Sequence, residues 1–252
     1  MSDEEYELLT KCKDFIKILD ERLSFFEGSL NEATYLKEMN EELEKWGTFE
    51  DGRYIPNNPH MILGVVIDHM TLIKASNGRS KKEEIDAISR DSVQIRNNTK
   101  IVSPIMISQF NRNSNGQERM KQGLQDPSIE DYKDSGSLVE DSMVVIGLFS
   151  PHKYKLATYK KYNIKTLEQC FIGVFILKSR FGASDMMIPT GFYGDCSHYA
   201  DLPKPENIYD YEKYTSPNWL LEDEVQQLNV ELNNVDEIEG LDNGENKYSF
   251  TL

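Results

Sequence analysis

The chain has 252 residues, 38% hydrophobic and 28% charged, and no apolar run approaches the roughly 18 residues that a membrane span needs. Its acidic start, MSDEEYELL, is unlike a secretory signal, and three widely spaced cysteines without a CxxC argue against a disulfide framework or a zinc site, so a cytoplasmic location is expected. The net charge of −15 is uneven: residues 1–60 hold 15 acids and 7 bases, residues 201–252 hold 13 and 3, and residues 61–200 hold 15 and 18, which leaves a mildly basic middle compatible with phosphate contacts.

In chain order, residues 4–26 read as a helix with Leu8, Leu9, Cys12, Phe15, Ile16 and Leu19 on one stripe. Residues 31–46 read as a second helix, with Asn31 as N-cap and Gly47 as its stop. Residues 51–60 carry Gly52, Pro56 and Pro59 and read as a loop. The β-branched run at 62–67 reads as a buried strand. Residues 80–98 form a third helix with Ile85, Ile88 and Ile95 facing inward, and residues 101–108 the next strand. The Asn/Gln/Gly-rich segment 111–126 reads as a loop. Val144–Phe149 and Phe171–Leu177 are further buried strands, and Met187–Pro189 begins a last β segment. This order predicts an α/β fold with a mainly parallel sheet covered by helices, ending in antiparallel or adjacent strands. Residues 1–200 read as the main domain and 201–252 as an acidic extension. In that extension Leu221, Val225, Leu228, Leu232 and Val235 make an amphipathic helical stripe near 220–235, followed by an acidic, disordered end.

Four short segments carry chemistry. Ligands of an open parallel sheet sit beyond the carboxyl ends of its strands. Asp68 closes the run ILGVVID and Gln109 closes IVSPIMISQ, so the two would emerge side by side at that edge. Asp68 reads as an ordinary strand-end or N-cap residue, or as a carboxylate that holds a magnesium-bound water beside phosphates. Gln109 reads as a polar strand end, or as an amide that senses a γ-phosphate by donating and accepting. In EDYKDSGSLVED, Gly136 would let backbone amides approach a phosphate and Lys133 would pair with it; a turn capped by Asp134 or Ser135 is the plain alternative. In LKSRFG, Lys178 and Arg180 stand two apart on an extended chain and share a side, either as a solvated pair or as two cations reaching across a subunit boundary to a nucleotide.

Together these segments resemble the RecA-type ATPase domain of the DnaB-like hexameric replicative DNA helicases. VVIDHMTLI resembles the family's Walker B strand and ISQFNR its Ser-Gln-Leu-Asn-Arg motif. DYKDSGSLVEDSMVV resembles its Asp-Leu-Arg-Glu-Ser-Gly segment, and LKSRFG its Lys-x-Arg-x-Gly finger motif, in the same order over roughly residues 55–190. The resemblance implies ATP and Mg2+ as cofactors, with Asp68 as the Walker B acid that touches the metal through water and Gln109 as the coupling glutamine. It makes Lys178 and Arg180 a finger pair acting in trans on the nucleotide, and places Arg112, Lys133, Asp134 and Gly136 on the loops that grip DNA. Lys133 stands where the family has Arg, which keeps a charge but loses bidentate geometry.

The phosphate-cradling pattern G-x-x-x-x-G-K-[ST] occurs nowhere in these residues. The expectation is therefore the Walker B half of a split or truncated helicase, with a separate polypeptide supplying the P-loop half. The implied partners are single-stranded DNA, a homo- or hetero-oligomeric ring of six subunits, and primase, polymerase or other replisome proteins, without a membrane. A phage origin would make the location the host cytoplasm. The acidic end, with Tyr248, Phe250 and Leu252, reads either as a solubilising tail or as a docking segment for such partners. The alternative function is a non-catalytic RecA-like accessory, or a single-stranded-DNA-binding protein of replication or recombination.

Overall fold

The computed structural model describes residues 22–110 and 126–219, with residues 6, 10, 12, 13, 16, 17, 19 and 20; the side chains of 133–135 are outside this description. The chain divides into two compact units, Met1–Asn113 with Glu130–Ser142, and Ser114–Ile129 with Met143–Leu252. The helical stripe near 220–235 and the acidic end lie outside the described residues.

In the first unit the described residues between 6 and 20 are helical, and the chain leaves the helix at Arg22 rather than at 26. Beyond it, Leu30 packs against the core and its carbonyl accepts from Lys74 N–H at 3.0 Å, which anchors the chain ahead of the next helix. Helix α1 spans Glu32–Trp46. Asn31 caps it by accepting from Thr34 N–H, and Thr34 Oγ1 accepts in return from Asn31 N–H, which satisfies two otherwise orphaned donors. At Gly47 the chain turns straight into a strand. A Cβ there would lie 2.4 Å from the Ile55 carbonyl, so only glycine fits this approach.

The loop expected at 51–60 is instead a hairpin, β1 (Gly47–Glu50) with β2 (Arg53–Pro56). Asp51 and Gly52 make its two-residue turn with φ of 48° and 74°, the left-handed values a primed turn requires. The Asp-Gly dipeptide is the signal for it, and Pro56 is tolerated because it ends the strand.

Strand β3 (Leu63–Ile67), helix α2 (Lys81–Thr99) and strand β4 (Val102–Met106) form one crossover unit. β3 and β4 pair in parallel, from Leu63 opposite Val102 to Ile67 opposite Met106. Ser80 caps α2 in a box with Glu83. Its inner face carries Ile85 and Ile88, with Ile95 partly buried beside them. Leu63, Val65, Ile67, Val102 and Met106 meet this face together with Tyr35, Met39 and Leu43 of α1.

One charge lies inside that core. Glu84 is 0% exposed. Its carboxylate accepts from Glu32 N–H at 2.6 Å, from Ser76 N–H at 3.2 Å and from Ser76 Oγ at 2.9 Å. Burial pushes its pKa up, but these hydrogen bonds and the Arg79 charge outweigh burial and hold it below the ordinary glutamate value. Glu84 thus ties the first turn of α1 to α2. Glu84→Gln turns an amide NH2 toward groups that themselves donate. It is expected to cost about 1–3 kcal/mol at neutral pH in chemical denaturation. Because the folded pKa is depressed, the charged carboxylate stabilises above the unfolded value of about 4.3 and ceases to do so as pH falls through the folded value. The gap between wild type and Glu84→Gln should therefore narrow on acidification; a gap constant from neutral pH down to the acid transition would refute this role.

The second unit departs from a mainly parallel sheet. Its strands β5 (Val144–Phe149), β8 (Phe171–Ser179), β9 (Met186–Tyr193) and β10 (His198–Asp201) lie in the order β10-β9-β8-β5, all antiparallel. Connection length accounts for two of the three pairings: six residues join β8 to β9 and four join β9 to β10, too few for the crossover that parallel pairing needs. Between β5 and β8 the chain makes a small hairpin of β6 (Thr158–Tyr159) and β7 (Tyr162–Asn163). Aromatic rings build the core here. Phe171 is 0% exposed, with its ring centroid 4.9 Å from Tyr162 and 6.1 Å from Tyr159; Phe149 lies 5.2 Å from both Tyr154 and Tyr159. Burial above all pushes the Tyr162 phenol up to about 12.

The start of the acidic extension packs on this unit. Leu202, Ile208 and Trp219 are buried, and Trp219 sits with Tyr193 and Ala200, its indole N–H donating to Tyr193 Oη at 2.5 Å. Among the described residues no helix is long and apolar enough to cross a membrane.

Candidate nucleotide site

In the first unit, the parallel pairing of β3 and β4 brings two expected residues to one edge. Ile107 N–H donates to the Ile67 carbonyl at 3.0 Å, and Met70 N–H donates to the Ile107 carbonyl at 2.8 Å. These two bonds carry the pairing past both strand ends. Asp68 follows Ile67 and Gln109 lies two residues beyond Ile107, so both leave the carboxyl end of the same pair, and both are exposed. An exposed carboxylate at this edge fits a water-mediated contact to Mg2+. Among the described residues no group of three His, Cys, Asp or Glu side chains gathers to hold an ion directly.

The segment carrying Lys133 belongs to this unit also. Residues Ile129–Ser135 form a 3-10 run that leads into the short helix α3 (Gly136–Asp141). Side-chain pairs of opposite sense clamp α3 to α2. Ser137 Oγ donates to Asp86, and Ser89 Oγ donates to Asp141 Oδ2 at 2.7 Å. Leu138, directly after Ser137, is buried in the core. The composition of DSGSLVED marks a capped turn, but only the spacing of Asp86 and Ser89 on α2, three apart on one helical face, reveals its partners.

A Cβ at Gly136 would meet nothing within 4 Å, and its φ is not left-handed, so neither space nor backbone demands glycine there. Lys133 and Asp134 have their backbone in the 3-10 run, and Arg112 lies outside the described residues.

A further link was not foreseen from the motifs. The Phe110 ring, next to Gln109, meets the Tyr132 ring, next to Lys133, edge to face at 4.9 Å and 70°. The phenol of Tyr132 is pushed up to about 12, chiefly by burial and then by the neighbouring Asp131. Aromatic residues flanking two motifs were the only available signal.

In the second unit Lys178 stands near the end of β8, and Arg180 just beyond it. Val145 pairs with Lys178 and Ile146 with Ile176, which leaves Leu177 as the extra residue of a bulge. The strand ends at Ser179, and Arg180 lies in a bend just beyond it, its N–H donating to the Met143 carbonyl at 3.0 Å. Lys178 is half-buried and Arg180 exposed.

A family model for the DnaB-like helicase C-terminal domain matches residues 50–201. Among solved structures, a DnaB-like replicative helicase described with its interactions with primase is similar at a TM-score of 0.53 and 20% identity, over 71% of this chain and 37% of that one. A second solved structure, described as an ATPase domain, is similar at a TM-score of 0.54 and 19% identity, over 71% of this chain and 54% of that domain. At these identities the likeness is one of fold, the RecA-like α/β core, and this chain spans about half or less of either structure. No curated protein matches the sequence. With the family model covering more than half its length, the chain belongs to the family of DnaB-like helicase C-terminal domains.

Proposed function

We propose that this chain is the Walker B, DNA-loop and finger part of an ATP-dependent replicative DNA helicase. The observation that carries the reading is the parallel β3–β4 pair, which delivers Asp68 and Gln109 to one carboxyl edge inside the stretch matched by the family model. Residues 1–200 form the ATPase part and 201–252 an acidic extension. A P-loop segment outside these 252 residues completes the nucleotide site, and six copies close a ring.

Asp68 orders a metal-bound water at the phosphates. Mg2+, when bound, neutralises charge that develops on the phosphates. Gln109 hydrogen-bonds at the γ-phosphate end and carries the nucleotide state into the chain behind it. Lys178 and Arg180 reach a neighbouring subunit's nucleotide and stabilise charge during hydrolysis. Arg112, Lys133, Asp134 and Gly136, on the loops within residues 111–136, contact the backbone of one DNA strand.

The test is ATP hydrolysis by the purified chain, with and without single-stranded DNA, alone and with a polypeptide carrying the P-loop half. Activity confined to the mixture is expected. Hydrolysis by the chain alone would show a different phosphate-binding loop and would overturn the assignment. Binding to DNA without hydrolysis in either case would favour the accessory reading, to which the missing G-x-x-x-x-G-K-[ST] pattern gives its support.

A phosphate contact carries no sequence information. Lys133→Ala is therefore expected to weaken oligonucleotide binding several-fold on every sequence alike, and to lower the salt slope by about 1. A loss confined to certain bases, read by fluorescence anisotropy, would contradict the assignment.

A further inference from the structure

The contact between Phe110 and Tyr132 joins the two halves of the proposed site. Phe110 directly follows Gln109 at the nucleotide edge, and Tyr132 directly precedes Lys133 in the DNA-contacting segment. What surrounds the contact is asymmetric. On one side, the strand end is held by Ile107, which bonds both Ile67 and Met70. On the other, α3 is clamped to α2 by Ser137–Asp86 and Ser89–Asp141 and anchored by Leu138.

Between these two fixed points the backbone bends. The 3-10 run Ile129–Ser135 breaks at Tyr132, where φ is −92° and ψ is 18°. Asp131, just before the bend, is buried. A displacement of the Gln109 strand end therefore pushes on Tyr132, while α3 stays docked. The residues that must absorb the movement are 133–135, between the ring contact and the clamped helix. Two of them, Lys133 and Asp134, are proposed to touch DNA.

We propose that Phe110 and Tyr132 are positioning residues that couple nucleotide state at Gln109 to the DNA-contacting segment through their edge-to-face contact. The inference rests on the helicase reading above. Edge-to-face packing depends on both rings being present and in register, so the link transmits position as well as area. Neither ring needs to touch nucleotide or DNA.

The experiment uses the assembled ATPase, this chain with the P-loop half. Affinity for a fluorescent oligothymidine is measured with and without a non-hydrolysable ATP analogue. The ratio of the two affinities is the coupling. Wild type is expected to show a ratio well away from 1. Phe110→Ala and Tyr132→Ala should each bring the ratio several-fold closer to 1, and the double variant should go no further than either single one. Hydrolysis without DNA should persist in all three. Phe110→Leu, which keeps an apolar side chain of similar reach, should recover part of the ratio, and Tyr132→Phe nearly all of it.

Additive losses in the double variant, or a wild-type ratio retained in Phe110→Ala, would overturn the proposal while leaving the helicase reading intact. A wild type that binds DNA equally with and without nucleotide would overturn both. Should Phe110→Ala prove unstable, hydrogen exchange of the Phe110→Leu and Tyr132→Phe chains gives a second test. Protection at residues 130–136 should fall in Phe110→Leu and be unchanged in Tyr132→Phe, with no change in β1 and β2. Equal protection in both variants and wild type would count against the link.

Discussion

Asp68→Ala is expected to lower DNA-stimulated ATP hydrolysis of the assembled helicase by about 10²–10³-fold or more, the scale of removing one preorganised electrostatic group from a reacting centre. The carboxylate stands exposed at the carboxyl end of β3, so its removal deletes no buried contact. Stability should accordingly change by no more than about 0.5 kcal/mol, which separates a catalytic loss from a folding loss. Asp68→Asn sharpens the test. Its amide keeps size and one acceptor but loses the charge proposed to order a metal-bound water, so it should fall nearly as far as alanine. Oligonucleotide binding without nucleotide should stay at the wild-type level in both. Steady-state hydrolysis and anisotropy, run side by side, check these expectations. Hydrolysis that survives Asp68→Ala would remove this residue from the site and leave the β3–β4 edge without its central assignment.

Phe171→Ala should destabilise the second unit by about 3–5 kcal/mol, the usual cost of emptying a fully buried aromatic site. Phe171 begins β8 and is completely enclosed, between the Tyr162 and Tyr159 rings. Deleting it removes its burial and both ring contacts and leaves a cavity whose walls belong to paired strands that cannot readily collapse. Phe171→Leu refills most of that volume and should cost considerably less, about 1–1.5 kcal/mol. The two tryptophans allow the effect to be localised. Trp46 ends α1 in the first unit and Trp219 packs on Tyr193 in the second. In a Trp46→Phe background, the remaining fluorescence follows Trp219, and its denaturant midpoint should shift strongly in Phe171→Ala. A midpoint unchanged within error would show that the aromatic cluster does not hold this unit together.

Capping and periodicity were legible locally. Asn31 and Gly47 bracket α1, and Ile85 and Ile88 face the core from α2. The strands at 63–67, 102–106, 144–149 and 171–179 fall on the apolar runs that announce them. The hairpin at 47–56 was legible too, in Asp51-Gly52, but two prolines nearby masked it as a loop. The order of the four motifs pointed to the family, whose model matches residues 50–201. Partnerships were less legible. The Phe110–Tyr132 contact spans 22 positions, and the Ser137–Asp86 bond is between residues 51 apart. Neither leaves a mark within its own segment.

The sequence by itself determined where α1 begins and ends, which face of α2 is apolar, and which residues follow β3 and β4. Caps, turns and periodicity are satisfied by neighbours within about four residues, so they are written in the local order of side chains. Tertiary structure alone decided which strand lies beside which. It made β3 and β4 parallel through α2, made β8, β9 and β10 antiparallel through short connections, laid β5 against β8 across a longer one, and set Phe110 against Tyr132. An apolar run is equally buried in either pairing, and the choice falls to connection length and long-range packing, which no local pattern records.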